Sequence, residues 1–291
     1  MEENHNLITE FQKFDDYQYW FVYHNFNTWS VVDRATNEVI GYVQNDSFVD
    51  ASSHPLDRIF PNNIISDWEQ YKLRKEYMVG QKIHLDGVLA ETAKSHYIEL
   101  ISGIICCRAY RANNNPDLCN DYIGKVLTWL ESGDFYTAPA STIYHESFPH
   151  GLLYHTLSVY NNMVDLYQVP KFCASIDIDS AALCCLAHDW CKIGLYQSYK
   201  RNIKNEETGQ WERVDAYKRG AFPHTFGHGV TSMYMAMKLF KLTEDEALAI
   251  RWHMSMFNVS NNEVNEYQQA CEQYPLVHLL QFADQLSIVD Y

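Results

Sequence analysis

The feature that most constrains this chain is the adjacent pair His188–Asp189 within the run AALCCLAHDWCKIGL, Ala181–Leu195. A neutral nitrogen donor and an anionic oxygen donor follow a stretch that reads as a buried helix. A lone carboxylate in such a place is costly, because burial strips its hydration. A fold that keeps Asp189 inside must bring it a partner, and a cation is the simplest one.

Other donors lie in apolar segments of helical spacing: His155 in GLLYHTLSV, His228 in FGHGV, His253 in AIRWHM and Asp284 in LLQFADQL. A single histidine of this kind is more often a hydrogen-bonded core residue than a ligand. The ordered series His155, His188–Asp189, His228, His253, Asp284 is more specific than any member. It asks several helices to bring their donors to one centre, as helical bundles do. Imidazole with carboxylate suits Mn, Fe, Ni, Co or Zn, and one or two such divalent ions are the expected cofactors. His145, His150 and His224 lie nearby but outside the series.

A chain of 291 residues, 47% hydrophobic and 20% charged, can bury a core. No apolar run approaches the ~18 residues that a membrane helix needs, and the polar N-terminus MEENHNLITEF is unlike a secretory signal. Eight cysteines without a spaced framework suggest reduced thiols and a cytoplasmic location. A net charge of −15 repels a nucleic-acid backbone, so general nucleic-acid binding is not expected. A small phosphorylated partner held in a local positive pocket is compatible with that charge.

The expected fold is mainly α. Residues 1–112 read as a small β-rich module, with strands at Tyr19–Tyr23, Trp29–Val32, Val39–Val43, Lys82–Leu89 and Ile98–Cys106, a hairpin turn at Thr36–Asn37 and one helix at Asp67–Tyr77. Turn formers at Asn113–Asp117 mark the boundary, and residues 113–291 read as helical. Helices are expected over Leu118–Leu130, Gly151–Tyr167, Ser180–Gln197, Gly229–Leu242, Thr243–Met256 and Pro275–Ile288, with Thr243 and Glu246 forming a capping box. Ser198–Thr225 is long, polar and aperiodic, as functional loops and lids are. Its Lys200, Arg201, Lys204, Arg213, Lys218 and Arg219, interleaved with Tyr199, Trp211 and Tyr217, are candidates for meeting an anionic substrate that carries a base. Lys192, four residues after His188, falls on the same face of a continuous helix, where its ammonium can bind phosphate or stabilise developing charge. P-loop, dinucleotide-turn and serine-elbow patterns are absent from the sequence.

AHDWCKIG resembles the H-D-x-x-K-x-G signature of the HD-domain superfamily of metal-dependent phosphohydrolases, and FADQLS resembles its closing A-D segment. FYTAPAS followed by HGLLYHTLSV is similar to the HD domains of bacterial 3′–5′ exoribonucleases that carry an OB-fold in front. The resemblance covers about residues 117–291 and implies an all-α HD helical bundle there. It implies that His155, His188, Asp189 and Asp284 hold a first metal and that Asp189 bridges to a second held by His228 and His253. Two-metal relatives often have a His–His pair where this chain has Trp252–His253–Met254, so the number of metals stays open. The implied activity is cleavage of a phosphoester of a nucleotide or short oligonucleotide, with Asp189 and Lys192 catalytic. Some HD-fold proteins are di-iron oxygenases with a similar donor set, and a non-catalytic nucleotide sensor is the remaining alternative.

Overall fold

A computed structural model describes residues 19–25, 28–33, 36, 39–44, 47–50, 82, 83, 85, 87–113, 117–169, 176–204, 209–220 and 226–289. The described residues are mainly helical. Strands β1 (Tyr19–Asn25), β2 (Thr28–Asp33), β3 (Val39–Gln44) and β4 (Ser47–Asp50) form an antiparallel sheet in chain order. Val31 and Val43 are fully buried, while the β2–β3 connection carries the expected turn at Thr36, whose N–H donates to Asp33 Oδ1 at 3.1 Å. The helix expected at Asp67–Tyr77 lies outside the described residues.

Two expected strands are not strands. Ile98–Cys106 is the middle of a 24-residue helix, α1 (Ala90–Asn113). Its run of β-branched residues is buried among other helices, and that tertiary burial overrides strand propensity. The described part of Lys82–Leu89 is irregular, and its backbone is satisfied by side chains. Ile83 N–H donates to Asn161 Oδ1 at 3.1 Å, Asn161 Nδ2 donates to Ile83 O at 2.7 Å, and Tyr154 Oη donates to Val88 O at 2.6 Å.

After α1 come α2 (Asp117–Ser132), α3 (Gly151–Tyr167) and α4 (Ile178–Ala187), then strands β5 (Tyr196–Lys204) and β6 (Trp211–Arg219). Helices α5 (His228–Leu239), α6 (Glu244–Trp252), α7 (Val264–Gln273) and α8 (Pro275–Leu286) complete the described chain. Asn113 thus ends α1 and Asp117 begins α2, and α1 packs with the helices that follow. Tyr97 of α1 donates from its hydroxyl to Leu186 O of α4 at 3.0 Å, and Arg108 pairs with buried Glu246 of α6. The capping box is present, with Thr243 N–H donating to Glu246 at 2.8 Å.

The helix expected over Ser180–Gln197 is shorter. Asp177 caps α4 by accepting from Ser180 N–H at 2.9 Å, and the helix ends at Ala187, followed by a 3-10 turn at Trp190–Lys192. Gly194, at φ 71°, then turns the chain into β5. The segment expected as a lid contains an antiparallel ribbon, β5–β6, from the pair Tyr196↔Arg219 to the pair Lys204↔Trp211. Most of its residues are exposed, with Tyr196, Val214, Ala216 and Tyr217 half-buried, so no regular hydrophobic alternation betrays the strands in sequence.

Among the described residues no helix is long and apolar enough to cross a membrane. Cys184, Cys185, Cys191 and Cys271 are free thiols, but Cys106 is disulfide-bonded. Cys106 thus departs from the expectation of reduced thiols.

Candidate metal centre

The local structure explains how each donor reaches the centre. His155 sits one turn into α3. His188 and His253 cap the C-termini of α4 and α6, His228 opens α5, and Asp284 lies in α8. Asn162 Nδ2 donates to Ala283 O at 3.0 Å, tying α3 to α8 beside Asp284. Gln281 Nε2 donates to Trp252 O at 2.8 Å, tying α8 to the end of α6 beside His253. Gly229 lets α5 approach α6, since a Cβ there would lie 1.9 Å from Arg251 O.

All six residues of the series converge, as two sets that share Asp189. Asp189 Oδ2 lies 3.3 Å from His155 Nε2 and 3.4 Å from His188 Nε2. Those two nitrogens are 3.3 Å apart, and Asp284 Oδ1 is 3.2 and 3.8 Å from them. Donors bonded tetrahedrally to one ion at about 2.1 Å stand about 3.4 Å apart, so the His155, His188 and Asp284 atoms have the spacing of a first coordination shell, with Asp189 Oδ2 beside the two imidazoles. The other carboxylate oxygen, Oδ1, lies 2.9 Å from His228 Nε2 and 3.6 Å from His253 Nε2.

The ring orientations are fixed from behind. His188 Nδ1 is 2.7 Å from Cys185 O and His253 Nδ1 is 2.7 Å from Ile250 O. Each carbonyl can only accept, so Nδ1 carries a proton, and in the neutral ring Nε2 presents a lone pair to the centre. His253 Nε2 is buried without a hydrogen-bond partner, an expensive arrangement that a cation would relieve. Cys191 Sγ is 3.2 Å from His228 Nδ1, and Cys191 N–H donates to Ser232 Oγ at 3.0 Å.

The electrostatics favour positive charge. Burial works against the charge of both acids, yet Lys192 and the histidines hold Asp189 well below the usual carboxylate range, and His155 and His188 do the same for Asp284. Burial likewise opposes charge on His155 and His253, but the carboxylates beside them raise both. At His228 burial prevails and the pKa falls.

Lys192 is brought in as expected but by a different route. The helix stops before it, and the 3-10 turn sets its Nζ 2.6 Å from Asp189 Oδ2. Lys200, Arg201, Lys204, Arg213 and Lys218 are not in the buried centre. They stand exposed on the ribbon, and Lys200 pairs with Asp215 at 2.6 Å. Cross-strand partners share a face. Lys200, Lys204, Arg213 and Arg219 therefore lie on the face of Tyr196 and Trp211, with Arg201 and Lys218 on the other. Tyr196 anchors that first face at the centre's edge, its hydroxyl 3.2 Å from Ala140 O.

Two neighbours escaped the sequence series. Buried Glu146 lies 3.5 Å from His155 Nδ1, and the His145 ring is 4.9 Å from that of His155. Both sit in an aperiodic loop, where proximity to His155 in the chain is the one available signal. His150 instead precedes α3, its Nδ1 2.6 Å from Tyr136 O, and His224 lies outside the described residues. No protein-family model, curated protein or solved structure matches the chain.

Proposed function

We propose that the chain is a metal-dependent phosphohydrolase that cleaves a phosphoester of a nucleotide or short oligonucleotide. The observation that carries this reading is the split use of Asp189, one oxygen toward each donor set. His155, His188 and Asp284 with Asp189 Oδ2 would hold one divalent transition ion, and His228 and His253 with Oδ1 a second. Such ions supply a water activated near neutral pH and positive charge against phosphate oxygens.

The chain's own groups do the rest. The Cys185 and Ile250 carbonyls keep the protons of His188 and His253 on Nδ1, so neither ring turns away from the centre. Lys192 is buried and charged within reach of Asp189, where its ammonium binds a phosphate oxygen and stabilises charge that develops there. The cationic and aromatic ribbon face rooted at Tyr196 receives the rest of an anionic substrate. The order of donors along residues 117–291, similar to that of HD domains, supports the same reading.

The test is a panel of nucleoside mono- and triphosphates, cyclic dinucleotides and short RNA, offered to protein loaded with Mn, Fe, Co, Ni or Zn, with Asp189→Ala as control. We expect phosphate or nucleotide release that Asp189→Ala abolishes. Full activity and full metal content in Asp189→Ala would overturn the proposal. Oxygen uptake by the iron-loaded protein without any hydrolysis would point to oxygenase chemistry instead.

A further inference from the structure

We propose that Glu146 is a positioning residue for His155, an inference that rests on the ion-binding centre proposed above. The Nδ1 atom of His155 faces away from the centre, within hydrogen-bond distance of Ser287 Oγ at 3.2 Å and in charge contact with Glu146 Oε2 at 3.5 Å. Ser287 spends its own proton on Asp284 O at 2.6 Å, so its oxygen is left to accept from His155. That bond fixes the tautomer but adds no charge. Glu146 supplies the charge. His188 and His253 have neutral carbonyls behind them, so among the described residues His155 is the donor with a carboxylate at its back. A carboxylate there strengthens an imidazole as a ligand.

The local backbone is built to hold Glu146 in place. Its φ is 42°, a left-handed conformation that persists in a non-glycine residue only where the surroundings impose it. Glu146 O accepts from Ala140 N–H at 3.1 Å. Ser141 Oγ accepts from Tyr144 N–H at 2.9 Å and donates to His145 O at 2.8 Å. Gly151 opens α3, the helix that carries His155, and a Cβ on it would lie 2.0 Å from Glu146 O. Loop and helix start are thus locked together, with the carboxylate on the Nδ1 side of the ring.

A third ion is the competing use of these atoms, because donors of His145, Glu146 and His155 lie within 4.8 Å of one another. It would need His155 Nδ1 while Nε2 serves Asp189 and Asp284, and a ring binding two ions must give up both protons. Positioning keeps the N–H.

The experiment measures Co(II) and Zn(II) binding by chelator competition and by metal content at saturation. It compares the unaltered chain with Glu146→Gln, Glu146→Asp, His155→Ala and the double variant His155→Ala/Glu146→Gln, each checked for a cooperative melt. We expect Glu146→Gln to weaken one ion about 10- to 100-fold and to shift the visible Co(II) spectrum without lowering the number of ions at saturation. Glu146→Asp, which keeps the charge, should recover part of the loss. In the His155→Ala background Glu146→Gln should add nothing. Should Glu146→Gln not fold, an affinity in Glu146→Asp equal to that of the unaltered chain overturns the proposal. Equal affinity in Glu146→Gln, an additive effect in the double variant, or the loss of one whole ion at saturation would each overturn it while leaving the centre intact. An unaltered chain that binds no ion overturns both.

Discussion

Lys192 Nζ lies 2.6 Å from Asp189 Oδ2, the same oxygen that faces His155 and His188. Burial works against the lysine's charge, but Asp189 more than compensates and raises its pKa. An ammonium and an ion held by the first set would thus compete for one carboxylate oxygen, while Oδ1 faces the second set alone.

This competition separates binding from turnover. We expect Lys192→Met to bind ions as tightly as the unaltered chain or more tightly, because a rival cation is gone. Turnover should fall by roughly 10²- to 10³-fold, the usual cost of losing one group that stabilises developing charge. Chelator competition and kcat, measured on the same samples, check this. Weaker ion binding in Lys192→Met would show that the lysine supports the centre rather than competing with it.

The two faces of the β5–β6 ribbon make different expectations testable. Reversing Lys204 and Arg213 to Glu, on the face of Tyr196, should raise KM for a phosphorylated substrate about tenfold with little change in kcat. The effect should shrink at high salt, as exposed charges are screened. Reversing Arg201 and Lys218, on the opposite face, should change KM little. Initial-rate kinetics at two ionic strengths distinguish the faces.

The Arg108–Glu246 pair ties α1 to α6, with Arg108 Nη2 2.9 Å from Glu246 Oε2. Burial would raise the Glu246 carboxyl, but the Arg108 guanidinium overrides it and holds the pKa below the usual value. The stability this contributes is fully present above the unfolded carboxyl value of about 4.3 and is lost as pH falls through the lower folded value. Glu246→Gln should therefore flatten the fall in melting temperature below pH 4. Arg108→Met, which strands a buried carboxylate, should cost about 3 kcal/mol or more in urea unfolding at pH 7.

Gly229 stands beside His228 and against the backbone of Arg251, two residues before His253. Gly229→Ala forces α5 away from α6 and should destabilise the fold by about 1–3 kcal/mol. Ion binding by His228 and His253 should weaken, while the His155, His188 and Asp284 set is less affected. Denaturant unfolding together with stepwise ion titration checks both parts.

The centre was more legible in sequence than the scaffold. His188–Asp189 stood out because a carboxylate beside a ligand-type ring inside an apolar run demands a partner, and all six members of the series meet. Strands β1, β2 and β3 were visible from their aromatic and β-branched runs. Helix α1 was not, because the run IELISGIIC, Ile98–Cys106, is buried on several sides and shows no single apolar stripe. Ribbon β5–β6 is largely exposed and carries no clear apolar alternation, and helix α7 is short and mostly polar, with Tyr267 and Ala270 as its buried residues. Glu146 had only its nearness to His155 in the chain as a signal, since its place depends on a left-handed loop residue and on Gly151 meeting its carbonyl.

The most direct test is metal content at saturation and stepwise affinity for the unaltered chain, Asp189→Asn, His155→Ala and His228→Ala. If Asp189 serves both sets, the unaltered chain binds two ions, each histidine variant loses affinity mainly at one step, and Asp189→Asn loses affinity at both. Two ions bound with unchanged affinity in Asp189→Asn would contradict a shared carboxylate, and no bound ion in the unaltered chain would contradict the centre itself.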